Sequence, residues 1–327
     1  MGAAERDSKE GAGIGVADSS VLFRSRVLFL TGKGGTGKTT LAAAVAKLAA
    51  SQGRRTVLCE LDSQRPSLTA IFQRIPAYQP VEVGPKLSIC NVEWMPALDD
   101  WLADLVGAGR IVRMIMKNRM ISIFLEATPG ARDLMLLHRV VRLAESYDLV
   151  VVDMPASGNA AGMLSVVGTS RRLFDAGPIR RCAEEIDALL ARPDTNLVLV
   201  GLPEEMVVNE TVETRERIRA EIPALAQPLI LLNRATPASF SVAERGLLHA
   251  LGEQGDVGVD AAELVEAGLW EERLELATTE ALLRLREVGP VVVLPVLARG
   301  EGAAKVVTQL TAALARQSKV RVDLVGG

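Results

Sequence analysis

The stretch Gly32-Lys-Gly-Gly-Thr-Gly-Lys-Thr-Thr40 decides how this chain reads. It satisfies G-x-x-x-x-G-K-[ST], with Gly32, Gly37, Lys38 and Thr39 at the fixed positions. Gly32, Gly34, Gly35 and Gly37 let the backbone curl around Thr36, so that its N–H groups converge on a phosphate. Lys38 brings a positive charge to the β- and γ-phosphates of a nucleotide, and the Thr39 hydroxyl can bind Mg²⁺. Lys33 is a second cation that phosphate binding does not strictly need, and it narrows the reading.

The flanks support the loop. Arg26-Val-Leu-Phe-Leu-Thr31 is a short apolar, β-prone run that predicts a buried strand. Thr39 to Ala50 is rich in Ala, Leu and Lys, with no Gly or Pro until Gly53, and predicts a helix. Strand, Gly-rich turn and helix N-terminus is the arrangement an anion site requires, because first-turn N–H groups have no intrahelical partner.

Apolar runs alternate with helical patterns along the whole chain. Strands are expected at 26–31, 55–61, 87–93, 148–153, 196–202, 227–233 and 290–294. Most are apolar throughout, as in strands covered on both faces. The expected fold is α/β, a doubly wound and mainly parallel sheet whose ligand lies beyond the C-terminal strand ends. Residues 95–146 break the rhythm and read as a helical insertion, and further helices are expected over 161–192. Met1 to Ser20, rich in Gly, Ala, Ser and charge, reads as a disordered lead-in rather than a signal peptide. Nothing marks a linker, so residues 21–327 are expected to form one domain.

Composition narrows the function classes. The chain has 327 residues, a net charge of −3 and only 3% aromatic residues. It lacks both the basic field and the stacking platforms that nucleic-acid binding uses, so no nucleic acid is expected. No apolar run is long enough for an integral membrane segment. Cys59, Cys90 and Cys182 are widely spaced, with no Cys-x-x-Cys pair. That argues against a zinc or iron–sulfur site and suits a reducing cytoplasm.

A phosphate loop needs a partner carboxylate at a neighbouring strand end. Asp153, closing Val150-Val-Val-Asp153, is the candidate to hold Mg²⁺ through a water, though a strand-end Asp can also cap the next turn. Gly158, in the Met-Pro-Ala-Ser-Gly-Asn that follows, could admit a γ-phosphate to the backbone or simply form a turn. Asp62 ends the second strand and could orient an attacking water, with Glu60 as its competitor on the same strand face. Asn233 and Pro295 close the last two apolar strands. The Asn233 amide can donate to and accept from a base edge, but ordinary strand termination explains both residues equally well.

These residues together resemble a known family. The loop matches the K-G-G-x-G-K-[ST] pattern of the MinD/ParA/nitrogenase-iron-protein class, the deviant Walker A. More narrowly, residues 26–316 resemble the arsenical-pump-driving and tail-anchored-protein-targeting ATPases, in particular their short bacterial single-loop members. The resemblance rests on the loop, Val150-Val-Val-Asp-Met-Pro-Ala-Ser-Gly-Asn159, Gly201-Leu-Pro-Glu-Glu-Met206, Asn209-Glu-Thr211, Leu231-Leu-Asn-Arg234 and Val292-Val-Leu-Pro295. It implies a homodimeric ATPase that uses ATP and Mg²⁺. Lys33 would be the signature lysine reaching the phosphates of the other subunit, and Thr40 would touch the α-phosphate. Asp62 would orient water at the first switch, Asp153 would stand at the second, and Asn233 would contact adenine. The chain departs from the family where D-P-A-H-N is replaced by Asp62-Ser-Gln-Arg-Pro-Ser67, and where Asn159 stands for a His. The Cys-x-x-Cys of the targeting factors is missing.

The leading expectation is therefore a cytoplasmic dimeric ATPase switch acting on a client or membrane-associated partner protein. Met95, Met114, Met116, Met120 and Met135, in or beside the insertion, either face such a client or belong to a basic-faced helix packed on the sheet. The alternatives are a ParA- or MinD-like partitioning ATPase, an ATPase energising metalloid efflux, and a small-molecule kinase. His138 and His249 are expected at surface or packing positions, and the acidic stretch Glu263 to Glu280 as solvated helical faces.

Overall fold

The structure is a computed structural model that describes residues 20–106, 130–253, 259–297 and 302–317. Met1 to residue 19 of the expected lead-in, and Met114, Met116 and Met120, lie outside the described residues.

Eight strands form one sheet in the order β3-β4-β2-β5-β1-β6-β7-β8. They are β1 (Val27–Thr31), β2 (Thr56–Leu61), β3 (Val81–Gly84), β4 (Leu87–Val92), β5 (Leu149–Asp153), β6 (Thr195–Gly201), β7 (Leu229–Ala235) and β8 (Val291–Pro295). All neighbours pair in parallel except β3, which runs antiparallel to β4 at the edge. This is the α/β fold of a P-loop NTPase. Sequence reading missed β3 because Val81-Glu-Val-Gly84 is only four residues long and half-exposed.

Helices α1 (Ser20–Arg24), α2 (Lys38–Ser51), α3 (Leu68–Phe72), α4 (Trp94–Val106), α5 (Ala131–Ser146), α6 (Ser157–Leu173), α7 (Pro178–Leu190), α8 (Glu205–Glu221), α9 (Val242–Glu253), α10 (Val259–Val288) and α11 (Ala303–Gln317) complete the described fold. In the expected insertion over 95–146 the described residues form α4 and α5, with 107–129 outside them, and α6 begins four residues before the expected 161–192 stretch that α7 completes.

The apolar strands feed two cores because successive side chains point to opposite faces. Val27 and Phe29 of β1, with Val150 and Val152 of β5, pack with α4, α5, α6 and α7. Leu28 and Leu30, with Leu149 and Val151, pack with α1, α2, α3 and α11. A third cluster joins Ile230, Leu232 and Val291 to α8 and α10. Helix α2 is covered by the sheet on one side and α11 on the other, which explains its run of buried alanines. Large side chains would hold those layers apart.

The chain moves from β1 outward to β2 on one side, returns to β5, and then passes to β6 on the other side. β1 is therefore the switch point, where such sheets place their ligand crevice. The loop Gly32–Gly37 leaves β1 at that point and runs straight into α2.

One expectation fails locally. Glu272 and Glu275 of α10 are buried, not solvated. Glu275 accepts from the Ser239 N–H at 2.5 Å and pairs with Arg245 at 2.8 Å, while Glu272 pairs with His249 at 2.7 Å. Burial is tolerated because each carboxylate finds a polar partner on the chain between β7 and α10: Arg245 and a backbone donor for Glu275, the His249 ring for Glu272. Met135 is buried in the core, whereas Met95 is exposed.

Candidate nucleotide-binding site

The loop is shaped by backbone strain that only glycine relieves. Gly32, with φ 151, lies against β6; a Cβ there would sit 2.2 Å from the Val200 carbonyl oxygen. Gly37, with φ 91, starts α2 in the left-handed region, and its Cβ would lie 2.8 Å from the Asn233 amide nitrogen. The chain can turn this tightly beside two strands only without side chains at those positions. Gly34 and Gly35 are exposed at the tip.

Inside the loop the Lys33 carbonyl is the hub. It accepts from Lys38 Nζ at 3.1 Å and from Thr36 Oγ1 at 2.9 Å. The Lys38 ammonium is thereby folded back over the loop's own backbone. Burial draws its pKa below the ordinary 10.5, with Asp153 and Glu210 opposing that shift.

Asp153, at the end of β5, accepts from Thr39 Oγ1 at 2.5 Å through Oδ2. Its Oδ1 is buried with no hydrogen-bond partner. A buried acceptor left unmade costs about 1–3 kcal/mol. Burial also lifts the Asp153 pKa to about 6, with Thr39 and Lys38 pulling the other way. An orphaned carboxylate oxygen beside a threonine hydroxyl and an ammonium is a donor set that fits a magnesium–phosphate complex. The start of α6 is tied to the same place, because Ser157 N–H donates to the Gly32 carbonyl at 3.2 Å and Thr31 Oγ1 donates to the Pro155 carbonyl at 2.8 Å. Gly158 and Asn159 are exposed in the first turn of α6.

Asn233 is nearly buried at the end of β7. Its Nδ2 donates to the Thr36 carbonyl at 2.8 Å, and its Oδ1 accepts from the Arg234 N–H at 3.0 Å. Pro295 sits in register with Ala235 of β7. Thr40 is half-buried one residue after Thr39.

The remaining sequence-derived residues are held by charge. Lys33 Nζ lies 3.7 Å from Glu210 Oε2 of α8, both side chains about one-third exposed at 37% and 35%. Glu210 Oε1 also accepts from Ser157 Oγ. Asp62 adopts a left-handed backbone, φ 49, and its Oδ2 is ion-paired with Arg132 of α5. Its competitor Glu60 is occupied elsewhere, accepting the Ser67 N–H at 2.8 Å and the Leu68 N–H at 3.4 Å at the start of α3. Burial raises the Glu60 pKa, opposed by those two donors.

The site thus gathers Lys33, Lys38, Thr39 and Asp153 around one loop, with Asn233 against its far side. Sequence reading missed Glu210 and Arg132. Glu210 stands in Asn209-Glu-Thr211, where a lone carboxylate carries no chemical signature, and Arg132 follows the Gly130 that caps α5, which carries none either.

The model of the anion-transporting ATPase family matches residues 25–220, from the edge of β1 to the end of α8. The ATPase BagA of Mycobacterium tuberculosis is 30% identical over 272 residues, 79% of this chain and 77% of its own length. An uncharacterized protein of Streptomyces coelicolor is 32% identical over 250 residues, 75% of this chain and 58% of its own. The arsenical pump-driving ATPase of Escherichia coli is 23% identical over 293 residues, 81% of this chain and 49% of its own. The family match covers more than half the chain and contains the loop, Asp62, Asp153 and Glu210. This chain belongs to the anion-transporting ATPase family and is an ATPase.

Proposed function

We propose that the protein is a Mg²⁺-dependent ATPase working as a homodimer, in which ATP draws two copies together and hydrolysis lets them part, changing their hold on a partner protein. The observation that carries this reading is the different treatment of the two loop lysines. The Lys38 ammonium is folded onto the loop backbone, whereas the Lys33 ammonium, on a side chain 37% exposed, has among the described residues only the one-third-exposed Glu210 carboxylate as ion-pair partner. A cation kept in this way is available to the phosphates of a second copy. Supplied in trans, it would couple transition-state charge stabilisation to closure of the dimer.

In this reading the N–H groups of Gly34 to Thr39 and the Lys38 ammonium cradle the β- and γ-phosphates, and Thr40 reaches the α-phosphate. Thr39 and Asp153 would hold Mg²⁺, which when bound neutralises charge on the phosphate oxygens. Asp62 orients the attacking water. Asn233 keeps one amide hydrogen and one lone pair beyond its two local bonds, the complement that an adenine edge requires. Pro295 flanks the base. The partner is a client or membrane-associated protein met in the cytoplasm. Among the described residues no helix is long and apolar enough to cross a membrane. The metalloid reading suggested by the name of the Escherichia coli relative is the weaker one, because Cys59, Cys90 and Cys182 are all buried.

The test is Lys33→Ala, assayed for phosphate release and for oligomeric state by sedimentation with and without ATP. Hydrolysis should fall by about a hundredfold or more, as for loss of one preorganised transition-state donor, while nucleotide binding stays within a few-fold. A variant that hydrolyses ATP at the wild-type rate as a monomer would sink the proposal.

A further inference from the structure

Asp62 is more heavily engaged than a free water-orienting carboxylate needs to be. Oδ2 is paired with the Arg132 guanidinium, and Oδ1 faces the Trp94 N–H at 3.4 Å, the start of α4. The backbone N–H of Asp62 donates to the Val92 carbonyl at 2.8 Å, fixing the residue where β2 ends beside β4. The side chain is only 11% exposed, while that of Arg132 is 56% exposed. Oδ1 thus faces a backbone donor, and Oδ2 is buried against a cation without accepting a hydrogen bond among the described residues.

The position of Arg132 needs an explanation of its own. It is the second residue of α5, in a first turn whose free N–H groups and dipole disfavour a positive charge. The neighbouring Asp133 supplies one compensating charge and Asp62, across the fold, supplies the ion pair. The start of α5 is also mechanically fixed. Gly130 caps it at φ 81, and a Cβ there would lie 2.8 Å from Val166 Cγ1 of α6. Helix α6 in turn begins four residues after Asp153 and is tied at Ser157 to the loop carbonyl of Gly32. Arg132 thus stands where α5, α6 and the end of β2 meet.

We propose that Arg132 is a positioning residue that restrains hydrolysis by holding the Asp62 carboxylate, so that the ion pair must open before Asp62 can accept a hydrogen bond from the attacking water. The proposal rests on the reading of Asp62 as the water-orienting residue. The restraint is a weak one, because the guanidinium is more than half exposed and water can replace it.

The experiment compares the full chain with Arg132→Gln, Arg132→Lys, Asp62→Asn and the Asp62→Asn/Arg132→Gln pair, measuring phosphate release over a range of MgATP. Arg132→Gln should raise kcat about two- to fivefold, the population change that a partly exposed ion pair commands, with KM for ATP unchanged. Arg132→Lys should return kcat toward the wild-type value. Asp62→Asn should abolish turnover, and the double variant should stay at that level. Three results overturn the proposal: an Arg132→Gln kcat at or below wild type, an increase that persists in the Asp62→Asn background, or a lysine variant as fast as the glutamine one. If Asp62→Asn itself hydrolyses ATP normally, the water-orienting role fails and the restraint falls with it. An inactive Asp62→Asn with an unchanged Arg132→Gln removes the restraint alone.

Discussion

The two sides of the site are built from different materials. On the phosphate side, backbone does the work: Gly32 pressed against Val200, Gly37 against Asn233, and the Lys33 carbonyl drawing in Lys38 and Thr36. On the switch side, side-chain ion pairs do it: Lys33 with Glu210 and Asp62 with Arg132, each with an exposed or half-exposed member. Backbone packed against strands has one arrangement. Ion pairs near solvent can exchange partners for little free energy. On the proposed reading, the loop that would hold the phosphates is packed backbone, and the charges that would change partners lie where they meet water.

If that contrast holds, damage should grade from one side to the other. Gly32→Ala should have the largest effect. A methyl 2.2 Å from the Val200 carbonyl oxygen cannot be accommodated without moving β6 or the loop, so the variant should lose about 3 kcal/mol or more of unfolding free energy and its nucleotide binding, read by denaturant titration and by a fluorescent nucleotide. A soluble variant that binds normally would show the loop to be far softer than its packing implies. Asn233→Ala comes next. It leaves the buried Thr36 carbonyl and the Arg234 N–H without their side-chain partner, a loss of about 1–3 kcal/mol in the same titration, with weakened nucleotide binding because Gly37 loses its neighbour. A neutral result would move Asn233 out of the rigid half.

The rigid half was also the legible half. Glycines at fixed spacing, an apolar run before them and an alanine-rich run after them each carry a local rule, so Gly32 to Thr40, β1 and α2 could be read from letters. The terminal carboxylate of Val150-Val-Val-Asp153 could be read because an unbroken apolar run ends on it. The switch half obeys no local rule. Glu210 meets Lys33 across 177 positions of sequence, and Arg132 meets Asp62 across 70, only after the sheet has folded. The same limit hid the burial of Glu272 and Glu275. Acidic residues along a helix look solvated until Arg245, His249 and the Ser239 N–H arrive from elsewhere in the fold. Edge strand β3 escaped because its four half-exposed residues lack a core-facing pattern.

The smallest expected effect gives the sharpest test of the contrast. Glu210→Gln removes the charge facing Lys33 but keeps an amide oxygen able to accept from Ser157 Oγ, so the anchoring of α6 survives. Both members of the lost pair are about one-third exposed, at 37% and 35%, and 3.7 Å apart. Such a pair contributes about 0–1 kcal/mol, so the unfolding free energy should change by no more than that. Whatever change appears should shrink in 1 M salt, where the screening length falls to about 3 Å. A salt-insensitive loss as large as that of Asn233→Ala would mean that Glu210 is as firmly built in as the loop backbone. Lys33 would then be fixed in its own subunit rather than held ready for another, and the distinction between the two sides of the site would be broken.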